Sequence, residues 1–219
     1  MDRQVQKKEG AVGALTTKGA ATRQRIVEGA AETIRERGVM DTTLDDVRAR
    51  TRTSKSQLFH YFPGGKEELL LAVARFEADR VLADQQPYLG ELTSWAAWWA
   101  WRDRIVERYR EQGRQCPLNV VMSQVGHSTP GAQAVVTELT LRWEAEIATG
   151  VRHMQAAGEI DPGIDPGRAA AALLAGIQGG VLLHLSTGRL TYLEAALDMG
   201  IGHLRDSAAR LSRPYGAGA

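Results

Sequence analysis

Cysteine is almost absent from this chain, Cys116 being the only one. That excludes an intrachain disulfide and any multi-cysteine metal site. Cys116 itself reads either as a packed small residue or as a reactive thiol. Long hydrophobic runs are absent too: no uninterrupted apolar stretch reaches the roughly 18 to 20 residues of a membrane span. The opening "MDRQVQKKEGAVGALTTKGAAT" has no apolar centre of the kind a secretory signal carries. Cytoplasmic residence with no membrane partner is the expectation. Strand-like alternation, internal repeats and low-complexity stretches away from the termini are also missing. The sequence has no Gly-rich phosphate loop, nucleophile elbow or HExxH helix. His127, His153 and His203 share no metal-ligand spacing. No catalytic residue, metal ligand or cofactor is therefore assigned.

What is present is enough apolar material for a core, 43% of 219 residues. The net charge of +1 hides an asymmetry. Residues 1–66 hold 13 Lys and Arg against 8 Asp and Glu, a net of +5; residues 67–219 hold 14 against 18, a net of −4. A basic head on an acidic body points to a polyanion at the head.

Apolar spacing and caps predict an all-α chain. Residues 1–20 read as a disordered arm; its Lys7, Lys8 and Lys18 are either inert or trail along a phosphate backbone. Thr22 is the expected cap of a first helix, with Ile26, Ala30 and Ile34 as its buried stripe and Gly38 as its end. Thr43, with Asp46 three residues on, caps a short second helix that ends near Arg50 or Thr51. Ser54 caps a third, which stops before Pro63, and a fourth runs from Lys66 to about Leu82. The remainder reads as longer helices. "SWAAWWAWRDRIVERYREQG" is closed by Gly113, and a short helix is expected after Pro117. Residues 131–157 carry a stripe of Val136, Leu139, Trp143, Ile147, Val151 and Met154. Asp165 and Pro166 open a helix to about Ser186. A last helix has Thr191 and Glu194 as its capping box, and the tail 214–219 is loose.

Two short helices joined by a tight turn and backed by a supporting helix make a helix-turn-helix. At about 100° per residue, Leu58 and Phe62 fall on one side, toward Ile34 and Val47. Ser56, Gln57 and His60 fall on the other, with Lys55 and Phe59 at one edge and Tyr61 at the other. Amide, hydroxyl and imidazole groups suit base edges in a major groove, and lysine and phenol suit phosphates. Ser54 leaves N–H groups at the helix start for a phosphate. An ordinary solvated helix face is the other reading of the same periodicity.

About residues 22 to 72, among them "TRQRIVEGAAETIRERGVMDTTLDDVRARTRTSKSQLFHYFPGGKEELL" (22–70), resemble the tetracycline-repressor (TetR) family of bacterial regulators. The Thr-Thr before helix two, the Ser-Lys opening of helix three, "LFHYF" and "KEELL" stand in family order, and "FPGGKEEL" looks like the LmrA/YxaF-type branch. The resemblance implies DNA-facing roles for Thr43, Ser54, Lys55, Gln57, Phe59, His60, Tyr61 and Lys66. The chain departs from the family pattern at three positions. Arg52 stands where glycine is usual, and a left-handed arginine costs about 1 kcal/mol while offering a phosphate contact. Phe59 replaces a tyrosine, and Ser56 replaces a glycine and adds a polar group toward the groove.

The resemblance further implies a helix-turn-helix domain over 21–66 and a C-terminal helical domain over 67–213 that binds a small-molecule effector and forms a homodimer. The partners would be a double-stranded DNA operator, the effector and a second copy of the chain, with repression the commoner output. The alternatives are a small-molecule-binding helical enzyme and an architectural DNA binder without an effector. Helix 166–186 is apolar nearly all round, so burial on several sides is expected, with Ala175, Gly176, Gly179 and Gly180 allowing close approach. His184 reads as a core or interface histidine rather than a ligand contact. Four tryptophans fall within residues 95–101. Trp95, Trp98, Trp99 and Arg102 form a stripe, with Trp101 at its margin, that reads either as an aromatic core or, together with Trp143, as the wall of an effector pocket. Arg102 either pairs with a carboxylate of a neighbouring helix or answers an anionic group on an aromatic ligand.

Overall fold

Helix α1 (Thr17–Arg37) starts five residues earlier than the expected cap. The Thr16 hydroxyl accepts from the Gly19 N–H at 3.2 Å, whereas Thr22 lies inside the helix and donates to the Lys18 carbonyl. A threonine within a helix can bond back four residues, so its cap-like chemistry does not by itself mark a start. Ile26, Ala30 and Ile34 are buried as expected, and Gly38 at φ 85° ends the helix. In this computed structural model the described residues are 16–113 and 130–211, with side chains placed as far as residue 208. The expected arm up to residue 15, the short helix after Pro117, Cys116, His127 and the C-terminal tail lie outside them.

Helix α2 (Leu44–Thr51) has a complete capping box. Thr43 Oγ1 accepts from the Asp46 N–H, and Asp46 Oδ2 accepts from the Thr43 N–H at 2.9 Å and its hydroxyl at 2.6 Å. The turn to α3 (Lys55–Tyr61) passes through Arg52 at φ 51°, ψ 43°, the one non-glycine residue with positive φ among the described residues. Gly29 of α1 is required where α2 ends, because a Cβ there would fall 2.3 Å from Thr51 Cγ2. The Arg25 guanidinium also donates to the Thr51 carbonyl and so clamps that end.

Helix α4 (Gly65–Ala83) packs both on α1 and on the body. A 3-10 turn (Tyr88–Glu91) leads to α5 (Trp95–Gln112), which ends at Gly113 as expected. The body is completed by α6 (Pro130–Ala156), α7 (Pro166–Thr187) and α8 (Thr191–Leu211). Asp165 caps α7 with Pro166 at its first position, and Gly188 ends it in the left-handed region. At α8 the expected capping box does not form. Thr191 is the first helical residue, the Leu190 carbonyl accepts the Leu193 and Glu194 N–H groups, and the Glu194 carboxylate faces Arg110 of α5 at 3.6 Å.

One apolar core runs from Ile26 and Phe62 in the head through Val73 and Trp98 to Leu193 and Ile201. Helices α7 and α8 meet closely at Gly180, where a Cβ would fall 2.5 Å from Leu193 Cα. Within one chain helix α7 keeps one face open, and its burial on several sides is not tested there. Leu182 and Leu183 are 57% and 44% exposed, next to Tyr192 and Met199 of α8. Gly179 and Ala175 also face outward, so only part of the small-residue set serves the α8 contact. By length and composition α7 is the one helix among the described residues that could cross a membrane, although no uninterrupted apolar run marks it. Its inner face packs between α6 and α8. No β-strand occurs among the described residues.

Candidate DNA-binding face and body clefts

Helix α3 is anchored from below and open above. Leu58 and Phe62 are fully buried, and Phe62 belongs to the same core as Ile34 and Val47. Lys55, Ser56, Gln57, Phe59 and His60 are exposed. Together these side chains form one polar and aromatic face on a helix seven residues long. Such a face, held at a fixed angle by a second helix, is what major-groove reading requires.

Some of the expected contacts already have internal partners. Ser54 Oγ accepts from the Gln57 N–H and Gln57 Oε1 accepts from the Ser54 N–H, both at 3.2 Å, closing a second capping box. Gln57 therefore presents its amide NH2, a donor for an acceptor on a base edge. The Thr43 hydroxyl is held in the α2 box, so Thr43 positions that helix. Tyr61 is half-buried, stacked edge-on to His60 at 4.9 Å, with its ring against the core. Lys66 is not a free backbone-facing cation. Its Nζ donates to the Val39 carbonyl at 3.0 Å and ties the start of α4 to the α1–α2 loop, leaving two ammonium N–H groups for other acceptors. Arg52 is exposed at the turn.

Head and body meet across polar groups. Glu77 of α4 is 2% exposed, and neither of its carboxylate oxygens has a hydrogen-bond partner. Arg35 of α1 lies 3.9 Å away. Burial pushes the Glu77 carboxyl above the usual glutamate range, against the opposing pull of Arg35, Arg80 and Arg108. Nearby, Arg50 of α2 pairs with Glu32 at 3.2 Å and with Glu36 of α1.

The tryptophans of α5 divide by burial. Trp98 and Trp101 are fully buried, packed edge-to-face with ring centres 5.9 Å apart. Trp101, expected at the margin, donates from Nε1 to Gln85 Oε1 at 2.9 Å. Trp95 is half-buried and donates to Glu159, and Trp99 is half-buried against the core. Arg102 is held by two carboxylates, Asp198 of α8 in a two-point contact and its neighbour Asp103. The carboxylate pairing expected as one reading of Arg102 is thus present. His184 is a core histidine, 5% exposed, with Nε2 3.2 Å from the Gly113 carbonyl.

Of the expected pocket residues only Trp143 borders a mainly apolar, half-open groove. That space is a cleft of about 210 Å³ between α6 and α7, lined by Leu139, Trp143, Glu144, Leu174 and Gln178 among others. Glu144 and Gln178 were not singled out in the sequence. Glu144 sits beside the α6 stripe and Gln178 within an apolar helix, and neither position signals the other. No group of three or more His, Cys, Asp or Glu side chains suited to a metal occurs among the described residues.

Residues 26–73 match the family described as bacterial regulatory proteins, tetR family, and residues 95–199 match the tetracyclin repressor-like C-terminal domain. An uncharacterised HTH-type transcriptional regulator of Mycobacterium tuberculosis is 30% identical over 110 residues, 48% of this chain and 53% of that protein. The chain thus spans about half the length of the first curated relatives it matches. The transcriptional regulator AcuR of Cereibacter sphaeroides is 23% identical over 73% of this chain and 74% of its own. Among solved structures, a TetR transcriptional regulator from Chloroflexus aurantiacus has a TM-score of 0.73 at 26% identity, covering 86% of this chain and 96% of that one. A SmeT–triclosan complex has a TM-score of 0.68 at 19% identity, covering 91% and 98%.

Proposed function

Because the chain belongs to the TetR family of bacterial transcriptional regulators, we propose that it is a cytoplasmic repressor that binds a palindromic operator as a homodimer and lets go when a small molecule occupies its body. The exposed face of α3 carries this reading. Lys55, Ser56, Gln57, Phe59 and His60 stand together over a buried Leu58–Phe62 anchor, in the segment that matches the family's DNA-binding half. Gln57 and His60 are the base-reading candidates. Lys55 and Arg52 are the phosphate candidates, with Ser54, Thr43 and Lys66 as positioning residues that reach the backbone only through their spare donors.

The exposed apolar face of α7 and α8 supports the homodimer. Leu182, Leu183, Tyr192 and Met199 lie on the two helices that lock at Gly180, and an apolar face of this kind on the last two helices marks a protein–protein contact. The SmeT–triclosan complex supports an effector, being a protein of the same fold with a small molecule bound. Helix α4 is the connector, since it packs on both α1 and α6.

Light scattering with a DNA-retention assay tests the reading. The wild type is expected to be a dimer that retains duplex DNA, and a Leu183→Glu, Met199→Glu variant a folded monomer that loses it. A wild-type monomer with undiminished operator binding would overturn it.

A further inference from the structure

The cations of the head divide by partner. Arg35, Arg37, Arg48 and Arg50 each face a carboxylate. Arg25 and Lys66 each donate to a backbone carbonyl. Lys18, Arg23, Arg52 and Lys55 have neither an ion pair nor a side-chain hydrogen bond among the described residues. Among them only Arg23 has a seat. It is half-buried, and its guanidinium carbon lies over the Phe62 ring, 5.0 Å from the centre, within the about 6 Å at which a ring face attracts a cation. Phe62 is fully buried and closes α3, so the seat is as fixed as the end of that helix. A guanidinium held by its face keeps its N–H edge for acceptors. No acid on the neighbouring turns of α1 can take that edge, because residues 17–27 contain no Asp or Glu.

Position narrows what the edge meets. Arg52 and Lys55 stand at the start of α3, and Arg23 stands at its end. Seven residues make about 10 Å of helix, close to the about 12 Å width of a major groove. Unpaired cations at both ends of a helix of that length match the two phosphate walls of the groove. The paired cations lie elsewhere: Arg35 faces Glu77 of α4, and Arg50 faces the acids of α1.

We propose that Arg23 is a phosphate clamp. Its guanidinium, seated on Phe62, holds the duplex backbone beside the end of α3 and fixes how that helix enters the groove. The contact is blind to base sequence and adds a residue of α1, outside the α3 face, to the DNA interface. It rests on the operator-binding reading.

Salt-dependent titration of random-sequence duplex with the full chain tests the proposal. Arg23→Met removes the charge and leaves an unbranched stem over Phe62. It should weaken binding about tenfold, as loss of a charge-assisted contact implies, and lower the salt slope by about one. Arg23→Lys should keep the slope. Arg37→Gln, which removes a cation already paired with Asp46, should leave the slope unchanged. Arg23→Gln carries the same expectation as Arg23→Met, and thermal melts show which variant is folded. A slope unchanged in the folded variant, or lowered equally by Arg37→Gln, overturns the clamp. Two failures are distinguishable. A wild-type chain without affinity for any duplex removes the operator-binding reading and the clamp with it. Wild-type affinity with an unaltered slope in the Arg23 variants removes the clamp alone.

Discussion

Arg102 of α5 and Asp198 of α8 form a two-point ion pair, Nε to Oδ1 at 2.8 Å and Nη2 to Oδ2 at 3.1 Å. The pair fastens the tryptophan helix to the helix bearing the exposed Met199, and it accounts for a cation on an otherwise apolar face. Asp198 is nearly half exposed, so solvent screens the pair. Arg102→Gln and Asp198→Asn should each cost about 1 kcal/mol or less, and the double variant less than their sum. Thermal unfolding of the four proteins checks this. Additive losses would mean that the two side chains act independently.

Arg52 occupies the left-handed region with φ 51°. Glycine is free of that strain, so Arg52→Gly should stabilise the protein by up to about 1 kcal/mol. If the guanidinium meets a phosphate, the same change weakens binding to all duplexes and lowers the salt slope by about one. Denaturant unfolding and salt-dependent DNA titration read the two effects separately. Greater stability with an unaltered salt slope would assign Arg52 to the turn alone.

The α3 face separates sequence reading from attachment. Gln57→Ala and His60→Ala should relax base preference, each costing about 1–3 kcal/mol on the preferred site and far less on random duplex. Gln57→Ala also opens the Ser54 capping box, so its folded stability must be measured alongside. Lys66→Met should lower the melting temperature, because the Val39 carbonyl loses its donor, and should weaken all duplexes alike. Loss at one sequence only would make Lys66 a base reader.

Glu77 makes stability fall with pH. Burial holds its folded carboxyl above the usual glutamate range, so its contribution is complete where the unfolded chain is also protonated and is lost as pH rises through the folded value. The facing groups are Arg35 from α1, Arg80 and Asp84 at the end of α4, and Arg108 from α5. Glu77→Gln removes the titration, so its gain over wild type should be larger near about pH 8 than near about pH 4. Melting curves across that range test it. A constant difference would show that Glu77 titrates normally.

The head could be read from the sequence because its determinants are local. The Thr43–Asp46 capping pair, the Ser54 cap, the Leu58–Phe62 spacing and the Arg52 turn each act within a few residues, and each reappears in the structure. The body was less legible because its partners are distant. Asp198 lies 96 residues from Arg102, and no spacing rule connects them. Trp101 falls at the margin of a one-sided wheel, but Gln85, before the 3-10 turn, covers a second side of α5. The Trp143 cleft depends on how α7 lies on α6, so Glu144 and Gln178 give no sign until the two helices are packed. The start of α1 was misplaced because Thr16 and Thr22 are equally good caps on paper.

The most direct test of a dimeric operator-binding regulator is selection of bound duplexes from random sequence, followed by footprinting of the enriched site. The account predicts an inverted repeat protected on both half-sites by a dimer, with the preference relaxed by His60→Ala. Enrichment of a single asymmetric site bound by one chain, or no enrichment over random duplex, would contradict it.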